Sequence, residues 1–134
     1  MWLQTTGGTY FIPVRGGQVV LFERANGKWS VGRKMKGERG EWLFTDLTFD
    51  YAMAWGENVA TQMDPTVAIR DKAWRRAKPS PAQVDLAIRM KLADPAELMN
   101  MRRGAVSDLL SVKFASRDLK ALDKARAKIV AASK

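Results

Sequence analysis

Apolar residues come in short alternating runs over the first 46 positions and at helical spacing after them. Trp2 to Thr5 is followed by Gly7-Gly8, and Thr9 to Val14 by Gly16-Gly17. Gln18 to Ala25 ends at Asn26-Gly27, a dipeptide whose two positions both accept positive φ and so favour a tight hairpin. Lys28 to Val31 returns, a loop rich in glycine and charge spans 33–40, and Glu41 to Phe44 closes the series. Connections this short make neighbouring strands antiparallel, which predicts a meander of four or five strands. Pro13 cannot donate to a ladder and marks an edge or a bulge. The first run starts with the chain itself, as if cut from a longer protein.

The period changes after Asp46. Leu47, Tyr51, Trp55 and Val59 recur every four residues, the mark of a helix with an aromatic stripe. Tyr51 and Trp55 are expected to pack on one face of the sheet. Trp29 and Trp42 fall on strands, where core is the expectation and an exposed stacking platform the alternative.

Helices dominate the rest. Asp64-Pro65 breaks the chain, and a basic helical stretch follows from Thr66 to Ala77. Ser80-Pro81 supplies a capping hydroxyl and a proline at the first helical position, predicting a helix over 81–92 that buries Val84, Ala87 and Ile88. Asp94-Pro95 opens a further turn, a helix runs over 105–115, and Ser116 caps a last helix over 117–132. The fold class is α+β. An N-terminal antiparallel meander with its covering helix takes residues 1–64, and a basic all-helical part takes 65–134. The two parts can also form one compact unit.

Charge follows the same division. Residues 1–64 hold seven basic and seven acidic side chains and residues 65–134 hold sixteen and seven, so the whole net charge of +9 lies in the second part. An excess of this kind attracts polyanions, nucleic acid first and acidic protein surfaces second; its bland counterpart is a helical face kept charged for solubility. Cysteine and histidine are absent, which removes disulfides, thiolate metal sites and histidine-based triads. No metal or cofactor is expected. No glycine-rich phosphate loop occurs either, so the chain reads as non-catalytic. No apolar run is long enough for a membrane span, and the expected location is cytoplasmic.

Four basic groups are candidate DNA contacts. Arg70, Lys72, Arg75 and Arg76 surround Trp74, interleaving cations with an aromatic that can stack on an unpaired base. Arg102 and Arg103 precede Gly104 at the start of a helix, where unpaired N–H groups add to their field and the glycine lets a nucleic-acid backbone approach. A helix–helix packing role for Gly104 is the alternative. Lys113, Arg117, Lys120, Lys124 and Lys128 fall within about 80° of one another on an unbroken helix, a stripe for phosphates. Arg33, Lys34 and Lys36 sit in a turn that can reach a groove as a wing does.

A resemblance joins some of these residues. Trp74-Arg75-Arg76, Pro79-Ser80-Pro81-Ala82-Gln83 and then Arg103-Gly104-Ala105-Val106-Ser107-Asp108-Leu109-Leu110 look like a C-terminal segment of phage superfamily-2 DNA helicases, downstream of the two motor domains. The helix containing Tyr51-Ala52-Met53-Ala54-Trp55 resembles the segment before it, and the likeness is clearest over residues 47–117. It implies an accessory domain, without ATPase motifs of its own, that grips single-stranded, forked or branched DNA beside the motor. The motor domains, or an acidic replication partner, are then its protein partners. A docking module for those partners is the alternative function.

Overall fold

The computed structural model describes residues 2–69 and 73–132. Among them five strands form one antiparallel sheet in chain order: β1 (Leu3–Gln4), β2 (Tyr10–Val14), β3 (Gly17–Glu23), β4 (Trp29–Met35) and β5 (Glu41–Leu47). The turns are where glycine permits them. Gly27 has φ +80° in the β3–β4 hairpin, and its N–H donates to the Arg24 carbonyl at 2.9 Å. Pro13 lies past the reach of β1, which pairs only with Tyr10 and Phe11, so the two-residue edge strand stops before the missing donor matters.

Helices cover both faces of the sheet. On one face Ile12, Val14, Val19, Leu21 and Val31 pack against α1 (Phe49–Met63). On the other, Phe11 and Val20 meet Ala115 and Leu119, where α6 (Arg103–Asp118) gives way to α7 (Lys120–Ala132). Two-sided burial is why β2 and β3 read as nearly continuous apolar runs. Full burial of Phe11 and Leu21 contributes about 1.5–3 kcal/mol each. Between α1 and α6 lie α2 (Thr66–Ile69), α3 (Ala73–Arg76), α4 (Pro81–Arg89) and α5 (Pro95–Met99). A third cluster of Ala87, Leu98, Val106 and Leu110 joins α4, α5 and the first half of α6. Helix α6 therefore spans two cores and fixes the helical segment to the sheet.

Several expectations need correction. The buried face of α1 is Ala52, Gly56 and Ala60, not the aromatic stripe; Tyr51 is 66 % exposed and Trp55 41 %. Small residues win because the Trp2 indole lies across the helix: a Cβ on Gly56 would be 2.6 Å from the ring. Leu47 belongs to β5, and Trp55 stacks on Phe44 at the sheet edge, with ring centroids 4.7 Å apart. Trp42 is 39 % exposed rather than core, lying over Gly32 beside Phe22 with the Arg24 guanidinium 4.3 Å above its ring. Trp29 is half-buried against the α1 core.

Further along, α4 stops at Arg89, because Lys91 turns into positive φ, and Ile88 stays 38 % exposed. Its start does carry the Ser80–Gln83 capping box, each side chain bonded to the other residue's N–H. The last helical break falls at Leu119, not Ser116. Leu119 is drawn into the second core, while the Ser116 hydroxyl accepts from the Thr6 N–H at 3.0 Å. Helix α6 also begins two residues earlier than the pattern predicts.

Candidate nucleic-acid interface

The tertiary structure sorts the candidate cations into those already partnered within the protein and those left exposed. Arg75 belongs to the first group. Its Nη1 and Nη2 donate to Asp108 Oδ1 and Oδ2 at 3.0 and 2.5 Å, a bidentate pair between α3 and α6. The side chain reaches Asp108 by crossing Gly104, where an added Cβ would stand 2.7 Å from Arg75 Cβ. Gly104 is buried by this contact and offers no surface to a nucleic-acid backbone, so its packing role replaces the ligand role. The pair lowers what Arg75 can give to a phosphate, because its fork is committed to a carboxylate.

Arg103 is also committed. Its N–H donates to the Ala77 carbonyl at 2.8 Å and its Nε to the Lys78 carbonyl at 3.1 Å, tying the start of α6 to the end of α3. Arg102 is different: it occupies the N-cap position, makes no side-chain cap bond and is exposed. Arg76 is exposed at the end of α3. Arg70 and Lys72 lie outside the described residues, as does the side chain of Trp74.

The expected wing is mostly strand. Arg33 and Lys34 belong to β4, and only Lys36 enters the turn, donating its N–H to the Gly16 carbonyl at 2.8 Å. Strand pairing brings Arg33 opposite Glu41, and the two form an ion pair on the surface. Lys34 turns its ammonium to the Met35 carbonyl at 3.0 Å.

Exposed cations concentrate on α6 and α7. Lys113 and Arg117 lie one turn apart on α6, and Lys120, Lys124 and Lys128 one turn apart on α7. All five are exposed, and none pairs with a carboxylate among the described residues. The break at Leu119 divides the single predicted stripe into two short ones, one per helix. Arg117 also holds its guanidinium 5.4 Å from the centre of the Phe114 ring.

Asp123, the one acid of α7, and Arg126 serve the fold. Asp123 Oδ1 accepts from the hydroxyls of Thr5 and Thr9, both at 2.6 Å, and Arg126 Nη1 donates to the Gly7 carbonyl at 3.1 Å. These bonds clamp α7 to the β1–β2 turn and orient its lysines away from the sheet. The clamp is not legible in the sequence, where Asp123 is one acid among lysines 114 residues from Thr9. Among the described residues no group of acidic side chains is placed to hold a metal ion, and no helix is long and apolar enough to cross a membrane.

Residues 1–133 match the family model described as the mitochondrial helicase Irc3, C-terminal domain. No curated protein and no solved structure shows significant similarity to the chain.

Proposed function

The chain belongs to the family of the Irc3 helicase C-terminal domain, and from that membership we propose that it is a non-catalytic accessory domain that grips DNA beside a superfamily-2 motor. The observation that carries this reading is the set of five exposed cations on α6 and α7 that no carboxylate pairs among the described residues. Where the fold needs a cation it supplies a partner, as Asp108 does for Arg75 and Glu41 for Arg33. Lysines left without one are free to neutralise phosphates, and each phosphate neutralised releases counterions. Such contacts position a strand without reading its sequence, which suits a motor that travels along DNA. Arg102 and Arg76 extend the basic surface toward the end of the domain that holds α3. Forked or branched DNA is the proposed substrate, since it offers duplex and single strand together. The phage type of motor rests on the paired motifs around Pro79–Gln83 and Gly104–Leu109.

Binding of the whole chain to labelled single-stranded, duplex and forked DNA across a salt series tests the proposal. The fork should bind tightest. Combined Lys120→Glu, Lys124→Glu and Lys128→Glu reversal should reduce the log–log salt slope by about 3, one per lost phosphate contact. An unchanged slope with intact folding would refute it.

A second reading has its own support. Tyr51 and Trp55, one turn apart, leave an exposed aromatic surface on α1, across the sheet from the lysines. Such a patch suits docking to a motor domain. Loss of motor-domain binding by a Tyr51→Ala, Trp55→Ala chain that still binds DNA would assign the two surfaces separate roles.

A further inference from the structure

We propose that the groove between Trp42 and the start of α7 seats one unpaired nucleobase of a single strand; this rests on the DNA-gripping role above. Helices α6 and α7 cover their face of the sheet only in part. The core they share with it takes residues from β1, β2 and β3 and none from β4 or β5. Trp42, on β5, is left 39 % exposed beside the gap. The gap is a groove of about 220 Å³, and Val20, Trp42, Leu119, Ala121 and Leu122 give it a mainly apolar lining. Its aromatic wall is held in place. Gly32 has no Cβ to lift the indole, and the Arg24 guanidinium stands 4.3 Å from the ring centre, itself fixed by a 2.9 Å bond from Nε to Ser30 Oγ. Neither Gly32 nor Arg24 lines the groove, so the part of Trp42 that reaches it is clear of both. A wall fixed in advance binds without losing side-chain freedom.

The charges around the groove select its occupant. Lys34 lines it, and its ammonium donates to the Met35 carbonyl and pairs with no carboxylate among the described residues. Lys120 stands between the wall residues Leu119 and Ala121 and is exposed. Of the two acids on the walls, Glu41 is paired with Arg33, and Asp118 is bracketed in the chain by Arg117 and Lys120. The occupant is therefore apolar where it meets the walls and negative on either side. A hydrocarbon chain lacks the charge, and a bare phosphate lacks the apolar body. A nucleobase in a strand has both: the base lies against Trp42 and the aliphatic walls while its flanking phosphates follow the lysines. Only an unpaired base is free to turn out of its stack and enter.

The test sets oligo(dT) against an abasic strand of the same length, which keeps every phosphate and lacks the bases. The whole wild-type chain should bind oligo(dT) more tightly by about fivefold or more, the effect of one base on an aromatic wall. Trp42→Ala should bring oligo(dT) down to the abasic level and leave both the abasic affinity and the salt slope unchanged; Trp42→Phe should keep most of the preference. Ala121→Phe, at an exposed position on the opposite wall, should abolish the preference by filling the groove with Trp42 intact. It decides the matter if Trp42→Ala does not fold. If wild type does not distinguish the two strands, or the preference survives in a folded Trp42→Ala or Ala121→Phe chain, the base site is wrong while the phosphate grip stands. If neither strand binds, both readings fall, and the groove is left to an apolar side chain of a protein partner.

Discussion

Arg75 crosses Gly104 to reach Asp108, and the space left by the absent Cβ is what lets the bidentate pair close. This arrangement unites three positions of the helicase-like motif in one structural unit. It joins α3 to the first turns of α6, the helix that carries Lys113 and Arg117. The motif thus braces α3 against α6 rather than presenting free cations at the surface.

Gly104→Ala should destabilise the domain by about 1–3 kcal/mol, since the new methyl displaces a side chain held at its far end. Asp108→Asn should cost about 1 kcal/mol, a modest figure because both side chains remain roughly one-third exposed. Urea midpoints measure both. Equal stability of wild type and Gly104→Ala would show that Arg75 does not lie across the glycine.

Gly56→Ala on α1 sets two effects against each other. Alanine raises helix propensity by about 1 kcal/mol, but its methyl would stand 2.6 Å from the Trp2 ring. Expelling the indole forfeits part of the roughly 1.5–3 kcal/mol from large-side-chain burial, together with its 3.1 Å bond to Glu57. The variant should therefore be less stable, with tryptophan emission shifted to the red. A stabilised protein with unchanged emission would contradict the packing.

Asp123→Ala removes the acceptor shared by Thr5 and Thr9. A loss of about 2–3 kcal/mol is expected, as for bonds to a charged group. Amide exchange should accelerate first in the β1–β2 turn and α7. Uniform acceleration across the whole sheet would mean that the clamp is not local.

Arg102 and Arg103 should part company despite their adjacency. Arg102→Glu should lower the log–log salt slope of DNA binding by about 1 without affecting stability. Arg103→Ala should instead cost about 1 kcal/mol of stability, through its lost bond to the Lys78 carbonyl. Identical behaviour of the two variants in both assays would refute this division.

The amino-acid sequence by itself determined the local structure. Asn26-Gly27 specified a hairpin and Ser80-x-x-Gln83 a helix start, because both signals act within four residues. The concentration of positive charge after residue 64 was equally plain. Tertiary structure alone decided which side of α1 faces the sheet: periodicity marks a stripe of large residues, but close approach of a helix to a sheet is governed by the small ones. It also decided which cations are spent on the fold. Arg75 and Asp108 are 33 positions apart and Thr5 and Asp123 118 apart, so no local pattern records their pairing. The break at Leu119 belongs to the same class, since a buried leucine at a helix junction and a leucine within a helix look alike until the second face of the sheet is present to draw it in.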